Sequence, residues 1–448
     1  MDNTVPLTIS DKPTSSVKPV STADRIRSID MVRGVALLGI LLMNIPGFGI
    51  DFSEMVAIGR GPEAGKDYVA MAAMFAFFDG TMRGLFSMLF GAGMVLFMMN
   101  KKDSPGGIPV AEYYFRRLLW LVAFGLFNAF ILLWPGDILY FYGLSGMLLF
   151  VFRNAKPRWL LLIGVGCIAV GMFKAQFNWN EIREKRSGYT AAIAAEKKNQ
   201  PLTEEQEAAK AQWLEVEKRH SPDTVEVNRN LQKMHSGYAT IFQFFIPFNT
   251  TGETWGMYDG IWDFLCMMFI GMALFKLGFF SNKLSNSTYA MCLLLAYGIG
   301  IPIGWEYFHT GVLGSIRGNY GQFVDAWRTP FWALYDIRRV LLSVGHASLL
   351  MLIFRSRILP WLMRALANVG QMAFTNYLMQ TIICTLIFYG YGFSKYNTLR
   401  FHQLYYVAAA IWLFQLIFSS IWLRYFRFGP FEWLWRSLTY WKKQPMKV

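Results

Sequence analysis

Charge is what this chain has least of. Asp, Glu, Lys and Arg make up 16% of its 448 residues, where an ordinary soluble domain carries about a quarter. So few charges cannot clothe several cores with solvated helices, which excludes a conventional soluble protein of this length. Four cysteines, Cys167, Cys266, Cys292 and Cys384, all fall in apolar runs with no C-x-x-C spacing. They therefore imply neither a disulfide framework nor a zinc or redox centre. The sequence has no P-loop, no H-E-x-x-H and no G-x-S-x-G, so the nucleotide-binding loop, zinc peptidase and nucleophile-elbow readings lack their residues. The alternating strands of a membrane barrel are absent. No internal repeat is evident, which weakens an inverted-repeat transporter. There is no basic start followed by a short apolar stretch and cleavage site, so the first apolar run reads as an uncleaved signal-anchor.

Apolar sequence is there in quantity: 54% of residues are hydrophobic and 17% aromatic. The apolar residues come in runs close to the roughly 20 residues that a helix needs to cross a bilayer. In lipid the backbone must satisfy its own polar groups, and helices do so most simply. The expected fold is all-α, a polytopic bundle of ten transmembrane helices near residues 29–50, 74–99, 116–134, 138–152, 158–177, 261–280, 287–308, 336–354, 371–391 and 404–423. The short external loops then hold only Arg60, Lys66, Arg317, Arg328, Arg338, Arg339, Lys395 and Arg400. The segments assigned to the cytoplasm, Lys101 and Lys102 among them, hold nearly three times as many cations. That bias places both termini inside. It also accounts for the net charge of +14 through topology and lipid head groups, without nucleic acid, for which no basic soluble module is present.

Four regions follow. Residues 1–24, rich in Thr, Ser, Pro and Lys, read as a disordered cytoplasmic tail. Residues 25–177 and 261–448 are membrane halves of five spans each, and residues 178–260 form an extracytoplasmic loop. In that loop Thr203-Glu204-Glu205-Gln206 has capping-box spacing, expected to start a helix that runs to His220 and stops at Ser221-Pro222. This region is either a solvated cover for the outer mouth or a lid over substrate. Near the C-terminus, Pro430 and the tryptophans of Phe431-Glu432-Trp433-Leu434-Trp435 suit an interfacial anchoring helix.

Ionisable and amide groups at bilayer depth are costly, so each needs a partner or a purpose. Asp30 and Arg33 share one helical face and can pair, or Arg33 can snorkel to the boundary. Asn44 follows Arg33 by about 16 Å of rise on nearly the same face, which makes one polar stripe turned to the bundle interior. Arg83 is positioned either to bind an anionic group or to pair with Asp79 at i,i+4. Gly91-Ala92-Gly93 permits close helix packing. Asp137, after Trp134-Pro135-Gly136, either caps the next helix or serves as a base. His346 is a packing histidine or a proton-transfer group. Arg338 and Arg339 meet an acidic substrate group or lipid phosphate, or pair with Asp336 or Asp325. Asn376 stands in the amide-rich stretch from Asn368 to Gln380, where interhelical hydrogen bonding is the default. Glu306 and His309 are too few for a metal site.

These residues carry a resemblance. Asp30-Met31-Val32-Arg33-Gly34 with Asn44, Leu85 to Gly93, Arg116-Arg117-Leu118-Leu119, Gly136-Asp137-Ile138-Leu139, Gly271-Met272-Ala273-Leu274, Thr375-Asn376-Tyr377-Leu378 and the stretch from Phe426 to Tyr440 resemble the YeiB-like bacterial membrane proteins, the domain-of-unknown-function 418 family. The likeness covers nearly the whole chain after its N-terminal tail. It implies a bacterial inner-membrane location and brings no established activity. More remotely, D-x-x-R-G followed by Asn is similar to the transmembrane acyltransferases, including lysosomal heparan-glucosaminide acetyltransferase. Those use a His after the first span, whereas residues 45–90 here contain none. Two departures from the closer pattern stand out: Asn128 occupies a position where His is expected, and Gln371 one where Arg is usual.

The leading functional expectation is a membrane-embedded transferase moving an acyl group onto a periplasmic or lipid acceptor. An acyl-CoA or acyl-lipid donor would enter near Asp30 and Arg33. Asp137 or His346 would serve as base; Arg83, Arg338, Asn44 and Asn376 would bind substrate. No bound metal or other cofactor is expected, and the partners are membrane lipid and a small-molecule or lipid substrate. Two alternatives stand beside it, a transporter or flippase for an amphipathic anion and a non-catalytic membrane-organising protein.

Overall fold

A computed structural model describes residues 26–99, 109–220 and 223–448. The expected N-terminal tail, Lys101, Lys102 and the Ser221-Pro222 stop lie outside the described residues. The elements are α1 (Arg27–Gly49), α2 (Phe52–Arg60), α3 (Gly65–Ala73), α4 (Thr81–Met99), α5 (Val110–Phe130), α6 (Leu139–Leu149), α7 (Pro157–Lys197), α8 (Glu204–His220), α9 (Thr224–Met234) and α10 (Tyr238–Thr251). They continue as α11 (Met257–Lys276), α12 (Asn286–Glu306), α13 (Gly314–Arg317), α14 (Tyr320–Ala326), α15 (Tyr335–Ser356), α16 (Pro360–Gln371), α17 (Ala373–Phe388), α18 (Phe401–Tyr425) and α19 (Pro430–Tyr440). The described residues contain no strand, and the protein is an all-α polytopic bundle. Among the described residues, seven helical stretches are long and apolar enough to cross a membrane. Leu139–Phe152 and Ala373–Phe388 are shorter apolar helices. Each expected span has a helix beneath it, α5 included.

Contacts at the helix ends define two faces. Ser28, entering α1, donates to the Phe280 carbonyl after α11 at 2.9 Å, and Lys276 donates to the Arg153 carbonyl at 2.8 Å. This is the basic face. At the opposite face the Gly49 carbonyl, ending α1, accepts from Asn397 N at 2.7 Å, and Tyr238 donates to the Ile131 carbonyl at 2.8 Å. Between the faces small residues allow backbones to touch: a Cβ on Gly271 of α11 would lie 2.0 Å from the Met88 carbonyl of α4. Gly91, in the small-residue step, meets the Met268 carbonyl in the same way.

Three departures from the sequence reading have clear causes. α7 does not stop near 177. Its 41 residues reach about 60 Å at 1.5 Å per residue, twice the hydrocarbon thickness, because helix-forming Glu, Lys and Ala continue the register. Its far end joins α8 and α14 around a separate small core of Trp179, Trp213, Tyr320, Phe323 and Val324. The expected capping box is present at the start of α8, with Gln206 N on Thr203 Oγ1 and Thr203 N on Gln206 Oε1. Second, residues 238–256, read as loop, are helical. Phenylalanine-rich α10 runs through a π-helical turn at Gly252–Gly256 into α11, one apolar stretch of 39 residues.

Third, the expected ninth span is α17, but a further helix that was not expected, α16, runs up to it and is broken from it at Met372. Glu432 of α19 supplies the break: its Oε1 accepts from Phe374 N at 2.7 Å and Thr375 N at 3.0 Å, and its Oε2 from the Thr375 hydroxyl. It thus caps α17 from outside the chain segment. Burial pushes the Glu432 carboxyl above its ordinary range, and the Thr375 hydrogen bonds pull against that shift. The C-terminal helix is therefore more than an anchor. Glu432→Ala leaves two amides and a hydroxyl unmet and is expected to destabilise the protein by about 2 kcal/mol. Glu432→Gln, which keeps one oxygen acceptor, should retain most of that. Thermal unfolding of both variants in detergent checks the order.

Candidate functional site

Two cavities lie next to each other inside the bundle. The outer one, about 480 Å³, is lined by Asn44, Asp79, Arg83, Asp137, Asp263 and Tyr335 among others. The inner one, about 180 Å³, is mostly apolar, with Phe86, Leu89 and Phe90 in its wall and Arg33, Arg117 and Glu432 toward the basic face. Ile138 belongs to both walls. The polar stripe expected on α1 runs along this axis, with Arg33 in the inner cavity and Asn44 in the outer.

Local backbone geometry sets the outer cavity. The helix entering α4 widens into a π-turn at Met74–Phe78 and then breaks. Gly80 takes φ +69°, and a Cβ there would meet the Tyr335 hydroxyl at 2.1 Å. This break puts Asp79 and Arg83 out of helical register, so the expected i,i+4 pair does not form. Asp79 instead accepts from Arg338 Nη2 at 3.0 Å, and Arg83 pairs with Asp263 at 2.8 Å. Arg338 is fully buried; it also donates to the Phe75 carbonyl at 2.7 Å and stacks 4.4 Å from the Tyr307 ring. Arg339 is 1% exposed and pairs with Asp336 at 2.8 Å and with Asp263. The alternative partner, Asp325, is taken by Arg186 in the outer subdomain. The Arg338 guanidinium is thus engaged behind the wall of the outer cavity and is not among its lining groups.

Asp137 both caps and faces the cavity. Its Oδ2 accepts from Tyr140 N at 2.9 Å, opening α6, while Oδ1 accepts from Asn128 Nδ2 at 2.8 Å and the Tyr377 hydroxyl at 3.4 Å. Asn128, standing where the family pattern has His, is thus a direct partner of this carboxylate. Asn44 has no hydrogen-bond partner among the described residues and is open to a ligand. Asp30 and Arg33 pair at 2.8 Å, as their spacing predicts.

Two expected site residues lie elsewhere. His346 uses both ring nitrogens, with Nδ1 2.7 Å from the Tyr297 hydroxyl and Nε2 3.2 Å from the Phe77 carbonyl. It lines neither cavity, as a packing histidine would. Asn376 donates to Ser419 Oγ at 3.0 Å and Val369 O at 3.2 Å, and its carbonyl accepts from Gln415. It ties α17 to α18 and also lines neither cavity.

Sequence reasoning missed three groups. Asp263 was visible as a lone acid in Trp262-Asp263-Phe264-Leu265, inside an expected span. Arg117 enters the sequence reading in the family motif and as one of the cytoplasmic cations, without a site role; its guanidinium stacks 4.2 Å from Trp435 and makes no ion pair among the described residues. Glu253, 6% exposed with Oε2 unpartnered among the described residues, lies on the π-turn in a segment read as loop, and no local signal marked it.

The architecture and this buried polar interior are those of a multi-pass helical membrane protein. The comparisons narrow the class. The family model "Protein of unknown function (DUF418)" matches residues 274–442. Uncharacterized protein YeiB of Escherichia coli (strain K12) is 30% identical over 419 residues, covering 91% of this chain and 94% of that protein. Uncharacterized protein YxaH of Bacillus subtilis (strain 168) is 28% identical over 427 residues, 93% and 94% of the two chains. An uncharacterized 39.9 kDa protein of Bacillus acidopullulyticus is 26% identical over 420 residues, again 93% and 94%. The chain belongs to this DUF418, YeiB-like family. No solved structure matches it significantly.

Removing one partner of a buried pair strands the other charge, at a cost of about 3–5 kcal/mol. Arg338→Met should therefore lower the thermal midpoint far more than Arg83→Met, because Arg83 is 30% exposed. Adding Asp79→Asn to Arg338→Met should recover part of the loss in the same unfolding assay.

Proposed function

We propose that the protein is a transferase of the bacterial cytoplasmic membrane, with its basic face toward the cytoplasm. It moves an acyl group from a donor entering the inner cavity to an acceptor in the outer one. The supporting observation is the adjacency of the two cavities across the Ile138 side chain, with guanidinium groups at the basic end of one and Asp137 with Asn44 in the wall of the other. In this reading Arg33 and Arg117 hold the anionic part of an acyl-CoA or acyl-lipid donor, and the Phe86–Phe90 wall takes its apolar part. The acceptor hydroxyl oxygen attacks the acyl carbonyl carbon, and the carbon–sulfur or carbon–oxygen bond to the donor breaks. Asp137 takes the hydroxyl proton and returns it to the leaving thiolate or alkoxide. The Asn44 amide N–H donates to the oxyanion that develops.

Purified protein incubated with labelled acyl-CoA should bind it and transfer or hydrolyse the acyl group. Asp137→Asn should slow turnover by about 10²–10⁴-fold while the protein stays folded, with its thermal midpoint lowered by the loss of one acceptor oxygen. Absence of binding, transfer and hydrolysis overturns the transferase reading.

One observation favours a second reading, passage of an amphipathic anion. Both Asp137 oxygens already hold donors, and the two cavities stand in line across Ile138 with guanidinium groups in the walls of both. Uptake or lipid scrambling in proteoliposomes without covalent turnover, diminished by Arg117→Gln, supports this reading over the first.

A further inference from the structure

A third cavity, about 660 Å³, opens between α3 and α18 and shares no wall residue with the two interior ones. Its wall is apolar: Leu42 of α1, Ala70, Ala73, Met74, Phe78 and the Tyr405 ring. Val69 and Tyr406 on its rim are 63% and 62% exposed, and both flanking stretches are long and apolar enough to cross a membrane. The open side therefore faces hydrocarbon.

One end of the groove is built differently. Lys66 and His402 stand there, with Arg400 at the N-cap of α18. Lys66 makes no ion pair among the described residues. Asp67, the carboxylate beside them, is already committed: its Oδ1 accepts from His402 N at 2.8 Å and lies 2.6 Å from His402 Nδ1. α3, nine residues long, starts at this end with Ala64 as N-cap and no side-chain cap. Its first-turn amides thus face the same space as the Lys66 ammonium, an arrangement that attracts an anionic oxygen group. Cations are scarce on this face of the bundle, so two at one groove end point to a negative partner. Tyr405, about 4.5 Å further along α18 than His402 at helical rise, has a buried hydroxyl with no partner among the described residues. Such a group is costly unless a ligand or water meets it.

We propose that this groove binds one anionic phospholipid from the leaflet at the α3 end. The phosphate lies against Lys66, the α3 N-terminus and Arg400. An acyl chain fills the channel over Ala70, Ala73 and Phe78, along the Tyr405 ring. This order of phosphate and then chain along one axis is that of a phospholipid standing in its own leaflet. A soluble phosphate has nothing to place in the apolar channel, and a zwitterionic lipid brings its own cation, so it offsets less of the charge of Lys66 and Arg400.

Native mass spectrometry of the purified full chain tests the proposal with phosphatidylglycerol and phosphatidylcholine added in parallel. One phosphatidylglycerol should be retained, at least tenfold more tightly than phosphatidylcholine. Lys66→Glu, at an exposed position, should remove that preference while the protein stays folded. Ala73→Trp should block retention of either lipid; Ala70→Trp serves in its place if that variant fails to fold. Equal retention of the two lipids, or retention unchanged by Lys66→Glu or by the tryptophan variants, overturns the proposal. Competition by inorganic phosphate alone that displaces the signal also overturns it, since a chain-anchored lipid would stay.

Discussion

A guanidinium taken fully out of water is tolerated only where a carboxylate offsets its charge. Arg338 and Arg339 impose that condition on neighbouring helices at once. Their partners come from the turn before α4, from α11 and from α15 itself, so none of these helices can slide without stranding a charge. Arg83 joins through Asp263, and three arginines face three aspartates. The network leaves little charge for a ligand, yet Asp79, Arg83 and Asp263 are also wall of the outer cavity. The cavity is thus a by-product of charge compensation, and its shape is as rigid as the ion pairs behind it.

Much of the bundle could be read along the chain because lipid punishes interruptions. Each expected span has a helix beneath it, and Thr203 caps α8 where its spacing predicts. Asp30 with Arg33 and Asp137 with Tyr140 were equally accessible, being contacts within one turn. What could not be read were partners set by backbone breaks. Gly80 removes Asp79 from the register of Arg83, and no spacing rule foretells that Arg338, over 250 residues later, takes its place. Glu432 shows the same limit: its hydrogen-bonding partners, Phe374 and Thr375, are contiguous with each other but distant from it in sequence. Residues 238–256 were misread because Gly, Thr and Asn punctuate a stretch that phenylalanines nevertheless bury.

The ligand-facing features lie along α1. Arg33 looks into the apolar inner cavity and Asn44 into the polar outer one. Leu42, on another side of the same helix, is wall of the lipid-facing groove. One helix thus stands between the two interior cavities and the groove that opens to the outside of the bundle. The C-terminal helix closes the inner cavity from the basic face, with Trp435 donating to the Arg117 carbonyl at 2.8 Å and Glu432 fixing the start of α17. A group entering from that side passes residues that also hold a core helix in position.

The π-turn at Gly252–Gly256 amounts to one extra residue inserted in an otherwise continuous α-helix. Excising a single position there would let the hydrogen-bond ladder close normally. It would also swivel the whole of α10 by about 100° relative to α11, the angle per residue of a 3.6-residue turn. Asn249 would leave the Ala129 carbonyl it now meets, and Glu253 would be carried round the helix axis away from its present wall. The length of this segment, as well as its composition, therefore sets which groups look inward, and a one-residue deletion would rewrite the outer rim where most point substitutions would not.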